Sequence, residues 1–214
     1  NPEITITPTS NFSITAVFVP VYTETTIPLY FWMMNGSIVN GAQLTELHST
    51  YEIITPDGEI HYQSCIPGYP LTIGNPNYGK GSMERRNNPT SLNYIPAANG
   101  NLAYPADMRG LQIKEPLQKD GLENIMIFDY STKGYKKIKF SFAVVNELTN
   151  ASAISVDYSI NSGAPIWITT GLSATSLPLT STYQIQQIDF STITNVDNNP
   201  NFKVRFRFIG TNMT

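Results

Sequence analysis

Near the C-terminal end, the run NFKVRFRF (residues 201–208) alternates apolar and charged side chains without a break. Successive side chains of a strand point to opposite faces, so a strict period of two describes an extended segment with one covered face and does not fit a helix. Phe202, Val204, Phe206 and Phe208 form the inward set, and Lys203, Arg205 and Arg207 face the other way. KKIKFSFAV repeats the pattern with Ile138, Phe140, Phe142 and Val144 inward, and ISVDYSI does so with Ile154, Val156, Tyr158 and Ile160. ENIMIFDY sets Met126, Phe128 and Tyr130 on one side and Ile125 and Ile127 on the other, which predicts a strand covered on both faces. In TYQIQQIDF the step is lost between Ile185 and Ile188, and a β-bulge accounts for it.

No stretch keeps an apolar helical stripe for three turns, and the one helical turn expected lies near Ser191 to Val196. Turn signals are frequent instead: Asn35-Gly36, Asn40-Gly41, Asp57-Gly58, Asp120-Gly121 and Asn161-Ser-Gly163. Short alternating strands between such turns define an all-β antiparallel sandwich or barrel. Within it, LYFWMM reads as a strand buried on both faces, with Trp32 in the core. Residues 1–27 differ in kind: NFSITAVFVPVY is one alternating strand between Pro8 and Pro20, expected to be an edge strand or the end of a preceding domain. A boundary is placed at Thr23 to Pro28, leaving 28–214 as the main module, and the start at Asn-Pro-Glu suggests a processed or excised segment.

Charge narrows the range of function. Asp, Glu, Lys and Arg make up 14 % of the 214 residues, and the net charge is -3, against about 25 % charged residues in an ordinary domain. Nothing basic is concentrated enough to recognise nucleic acid or an anionic membrane, and no apolar run spans a bilayer. Cys65 is the only cysteine, which leaves no intrachain disulfide and reads as a small buried apolar residue. His48 and His61 lack HxH or HExxH spacing, so the sequence offers no metal reading for them. Nor is there a GxSxG elbow, a phosphate-binding glycine loop or a CxxC pair.

The informative stretch is the irregular middle, about Pro67 to Pro105, with little alternation and many Pro, Asn and Gly residues. Long irregular segments inside compact domains are usually functional. It carries Tyr69, Tyr78, Arg85, Arg86, Asn87, Asn88, Tyr94 and Tyr104. Tyrosine faces stack on sugar rings, and the planar fork of arginine suits vicinal hydroxyls or carboxylates. The competing reading is that an arginine pairs with an acid to pin the loop while the tyrosines cap the core. Arg85 and Arg86, adjacent in an extended stretch, should point to opposite sides. One is then held inward by Glu84, Glu115 or Asp107, and the other faces solvent beside Tyr78 or Tyr94. Trp167, after NSGAPI, is either an exposed platform or a core edge.

YKKIKFSFAV, ISVDYSINSGAPIWITTGL and TSTYQIQQIDFSTITNVDNNPNFKVRFRFIG together resemble the C-terminal jelly-roll modules of large secreted Bacteroidetes proteins exported by the type IX route. YFWMMNGSIVNGAQLTEL, YQSCIPGYP, KGSMERRNNP and DMRGLQIKEP are similar to the extended form of that family, so the resemblance covers about residues 28–214. It implies a two-sheet antiparallel jelly-roll sandwich and a non-catalytic accessory role on a secreted or cell-surface protein, with a polysaccharide or surface glycan and the neighbouring domains as partners. No catalytic residue or cofactor comes with it. A structural calcium at the sandwich rim is found in similar modules, with Asp107, Asp120, Glu123 and Asp197 in or beside turns as candidate ligands, against the preferred reading that these are solvated turn carboxylates. Family members usually continue past this strand into an acidic loop and one more strand, expected here beyond Thr214. The ligand-binding candidates are Tyr69, Tyr78, Arg85, Arg86, Asn87, Tyr94, Tyr104 and Trp167. The alternatives are an adhesive or spacer module that binds protein neighbours, and a jelly-roll lyase or hydrolase.

Overall fold

The computed structural model describes residues 25–105, 107–147 and 150–214, so the strand expected in NFSITAVFVPVY lies outside the described residues. The described chain is all-β. Its strands are β1 (Tyr30–Phe31), β2 (Glu46–His48), β3 (Tyr51–Glu52), β4 (Glu59–Gln63), β5 (Ser82–Arg86), β6 (Gly110–Lys114), β7 (Gln118–Lys119), β8 (Leu122–Glu123), β9 (Ile125–Tyr130), β10 (Lys139–Val144), β11 (Ala151–Ser159), β12 (Ser176–Pro178), β13 (Gln184–Asp189) and β14 (Phe202–Gly210). Helical structure among the described residues is confined to two short 3₁₀ turns, Pro96–Asn99 and Thr194–Val196. The second lies where the sequence placed its one helical turn. None is long and apolar enough to cross a membrane.

Six strands form one antiparallel sheet in the order β12-β11-β14-β9-β4-β2, and β10 pairs with β13 in a second layer. The alternating segments explain how the layers meet. On β14, Phe202, Val204, Phe206 and Phe208 are buried, as are Ile154, Val156 and Tyr158 of β11 and Met126, Phe128 and Tyr130 of β9. Phe140 of β10 closes on them, its ring 4.7 Å from Phe128 and 5.8 Å from Phe206, while Phe142 lies 5.0 Å from Phe206. Sheet-on-sheet packing of this kind is compatible with a sandwich. The Asp120-Gly121 signal is a tight β7–β8 turn with both residues at positive φ, 53° and 77°, the combination a type I′ hairpin requires.

Three expectations are corrected. TYQIQQIDF contains no bulge, because β10 and β13 pair in unbroken register from Lys139↔Asp189 to Val144↔Gln184. The apolar step is lost because Gln186 takes an inward position opposite Phe142, where its amide donates to the Pro178 carbonyl at 3.0 Å, and Ile185 is turned outward. A register shift occurs in β11 instead, between Ala151 and Ala153. LYFWMM is not a strand buried on both faces: only Tyr30 and Phe31 pair, with β3, and half-buried Trp32 covers one side of the core, edge-on to Phe128 and Tyr130. The irregular middle is not structureless, since β5 and β6 pair across it and Met83 is fully buried in the shared core.

Phe206 has three aromatic neighbours and is 3 % exposed. Phe206→Ala is therefore expected to destabilise by about 3–5 kcal/mol, measured by urea unfolding. A midpoint equal to the parent's would show that β14 presents its other face to the core.

Candidate functional site

Few ladder bonds hold the middle segment, so side chains anchor it. Tyr69 hydroxyl donates to the Leu44 carbonyl at 2.7 Å and accepts the Met83 amide at 3.1 Å, and Tyr78 hydroxyl donates to the Gly41 carbonyl at 2.8 Å. Burial pushes the Tyr69 phenol up to about 12. These two tyrosines are props under the segment, with their hydroxyls committed to backbone.

Along the exposed side the chain is docked onto β10 and β13. Asn93 amide donates to the Ser141 carbonyl at 3.1 Å, and Ser141 hydroxyl returns a bond to the Asn93 side chain at 2.8 Å. Tyr183 hydroxyl donates to the Asn88 carbonyl at 2.7 Å. Its phenol is raised, first by burial and then by the Glu147 carboxylate, with Arg86 opposing. Tyr94 and Tyr104 meet edge to face at 5.9 Å, and Tyr94 hydroxyl, which donates to the Leu102 carbonyl, accepts the Asn99 amide. Beside them opens a shallow cleft of about 310 Å³ lined by Asn87, Pro89, Pro105, Met108 and Arg109.

The adjacent arginines differ in role, though not as the sequence implied. Arg86 is exposed and is the one held by an acid: Nε and Nη2 lie 3.2 and 3.1 Å from Oε2 of Glu147, whose other oxygen accepts from Asn88. Arg85 is half-buried on the Met83 side of β5, and its Nε is buried without a hydrogen-bond partner. Glu84, one of the three acids expected to hold an arginine inward, is itself buried and accepts from Ser82 hydroxyl at 2.6 Å. Side-chain alternation was read correctly, but the acid that completes the pair comes from a distant loop.

Trp167 does not join this cluster. It lies against the outer face of the six-stranded sheet, with the Arg205 guanidinium 4.3 Å from its ring centre. Arg205 in turn grips Asp157 with two hydrogen bonds, and Arg207 adds a third contact at 3.3 Å. Of the predicted residues, Asn87 alone lines the cleft, Arg86 and Tyr104 are chain neighbours of lining residues, and Tyr94 packs on Tyr104; Tyr69 and Tyr78 are props, Arg85 is half-buried, and Trp167 lies on the far face.

Of the four acids read as calcium candidates, three have protein partners and the fourth sits in a turn. Asp107 accepts from the Gly36 amide, Asp197 from the Lys137 amide, Glu123 sits 3.5 Å from Arg207, and Asp120 occupies the β7–β8 turn. His48 and His61, which their spacing in sequence did not link, are brought together with Glu46 and Glu59 on β2 and β4. The signal that could have found them is a repeated Glu-x-His, ELH at 46–48 and EIH at 59–61, at the spacing that puts both side chains on one face of a strand.

No family model matches the chain, and searches of curated proteins and of solved structures likewise find no match.

A buried, unpaired guanidinium N–H is a liability that an apolar stem of similar length avoids. Arg85→Met is expected to melt at or above the parent temperature, whereas Arg86→Ala, which removes an exposed ion pair, should change stability by no more than about 1 kcal/mol. Calorimetry of the two variants checks this, and a large loss in Arg85→Met would show that the guanidinium has a partner in solution.

Proposed function

We propose that the chain is a non-catalytic accessory module of a secreted or cell-surface protein, a jelly-roll sandwich of the type IX-exported kind, that retains polysaccharide at the cleft beside β5. The jelly-roll reading is supported by the path of the chain, which passes from β9 in the large sheet to β10 in the small one, back to β11 and β12, over to β13, and back to β14. Crossing between two sheets is what Greek-key and jelly-roll connections do.

The observation that carries the functional reading is the composition of the cleft. Its floor and rim combine flat apolar surface from Pro89, Pro105 and Met108 with the planar polar ends of Asn87 and Arg109. Tyr104 and Arg86 are the chain neighbours of Pro105 and Asn87. Sugar rings present just such a pairing, an apolar face with hydroxyls at its edge. A shallow, open site also matches a polymer that runs past a surface better than a small molecule, which favours enclosure.

Affinity electrophoresis against plant and algal polysaccharides tests the reading. The parent chain should be retarded by at least one polymer, and Tyr104→Ala and Arg109→Ala should each weaken retention about tenfold, a loss of about 1.4 kcal/mol, with melting curves close to the parent's. Trp167→Ala should leave retention intact and lower stability by about 0.5–2 kcal/mol, the worth of a partly covered cation–π contact. If no polymer retards the parent, or if only Trp167→Ala abolishes retention, the cleft is not the glycan site. The adhesive or spacer reading leads in the first case.

A further inference from the structure

The β2–β4 edge of the large sheet carries a group of side chains that the glycan reading leaves unused. The two Glu-x-His triplets pair antiparallel, so that Glu46 stands opposite His61 and His48 opposite Glu59, with Leu47 and Ile60 turned to the core between them. This makes a local two-fold arrangement in which each imidazole lies between both carboxylates. His48 Nε2 is 3.0 Å from Glu46 and its Nδ1 3.7 Å from Glu59, while His61 Nε2 is 2.9 Å from Glu59 and its Nδ1 3.6 Å from Glu46.

We propose that Glu46, Glu59 and His61, completed by His48, form a binding site for a divalent transition-metal ion of the zinc type, which clips edge strand β2 to β4. One ligand atom from each of Glu46, Glu59 and His61 already lies within 4.8 Å of the others. A tetrahedral ion bound at about 2.0–2.1 Å holds its donors about 3.3–3.4 Å apart, and the four nitrogen–oxygen separations straddle that value. His48 reaches the fourth position by turning a ring that is half in water. The donor chemistry selects the ion class: two imidazoles with two carboxylates suit zinc, nickel or copper, whereas calcium and magnesium take oxygen ligands almost alone.

Charge and accessibility support the same conclusion. The ion pairs made by Glu46 and Glu59 among the described residues are with these two imidazoles, with no lysine or arginine among them. The nearest such cation in the register, Lys203, is committed to Asp129 on the neighbouring strand. Two carboxylates thus stand diagonally across one strand pair without a lysine or arginine between them, a role that a divalent ion fills. The four side chains are between 35 and 55 % exposed, so an ion enters without any opening of the fold. They also lie across β2 and β4 from each other, so a bound ion adds a cross-strand tie to a strand with three paired residues.

The test uses the full 214-residue chain, stripped with chelator and titrated with zinc chloride by calorimetry and by thermal melting. One zinc per chain should bind saturably and raise the melting temperature, and calcium chloride at the same concentration should not reproduce the shift. His61→Gln and Glu59→Gln should abolish the zinc response while the apo proteins melt near the parent. His48→Gln should weaken binding about tenfold or more, the loss that even a partner orienting a metal ligand causes. The proposal is overturned if zinc fails to bind saturably, if His61→Gln responds as the parent does, or if calcium is equally effective. Should the glutamine variants fail to fold, tetrahedral cobalt absorption in the parent chain decides: its presence with one cobalt per chain supports the site, and its absence removes it.

Discussion

Asp157 is a buried carboxylate in the middle of a sheet, and its pairing with Arg205 and Arg207 is the constraint on which the rest of the architecture turns. Taking a carboxylate out of water costs several kcal/mol unless the geometry returns it, and here a two-pronged guanidinium grip with a second arginine does so. The grip fixes the register of β11 on β14, because a slip of one residue would set Asp157 against Val204 or Phe206 and turn the aromatic row outward. One polar contact on the outer face therefore secures the apolar core on the inner face. The Trp167 loop is stacked on the same guanidinium, so it inherits its position from that pair.

The same two-sided logic explains how much of the fold was legible. β10 and β14 read directly because each has one apolar row and one polar row, and burial follows the row; β9 and β11 were legible from their inward apolar row, although the other row carries Ile125 and Ile127 in β9 and buried Asp157 and Ser159 in β11. β5 was hidden, since Ser82 and Glu84 are buried polar residues that satisfy each other, and a binary pattern does not record a hydrogen bond between them. Gln186 misled in the same manner: a polar side chain with a carbonyl partner sits where alternation calls for an apolar one. A side-chain hydrogen bond in place of apolar burial hid one strand, β5, and gave another, β13, a bulge it does not have.

Site residues follow a related division. Arg86, Asn87, Tyr94 and Tyr104 are close in sequence, and a segment anchored at a few points keeps such neighbours on one surface, which is why they gather. Trp167 was grouped with them by residue type alone, and nothing local in NSGAPIW announces that Arg205 will stack on it. Glu147 was missed as the partner of Arg86 for the same reason, since the contact bridges separate loops. The Glu-x-His repeat was visible as spacing, but its meaning depends on β2 and β4 pairing antiparallel, so that each glutamate meets the other strand's histidine.

The edge strand and the cleft are mechanically connected through the residues that lead into β2. Gly41 and Leu44 present the carbonyls that accept from Tyr78 and Tyr69, Gln43 accepts from the Leu71 amide at 2.6 Å, and the Leu44 amide donates to the Met83 carbonyl. These bonds support the segment that goes on through Arg86 and Asn87 to the cleft. Strand β2 itself is short, has one partner strand, and contributes only half-buried Leu47 to the core, and such edges open more readily than the centre of a sheet. Whatever fixes β2 on β4 therefore also steadies the chain that leads through β5 to Asn87 at the cleft. Were the cleft the glycan site proposed above, an ion held by the two Glu-x-His triplets would act on retention from a distance, by lowering the population of chains in which the edge, and with it the carbonyls that accept from Tyr69 and Tyr78, has come away.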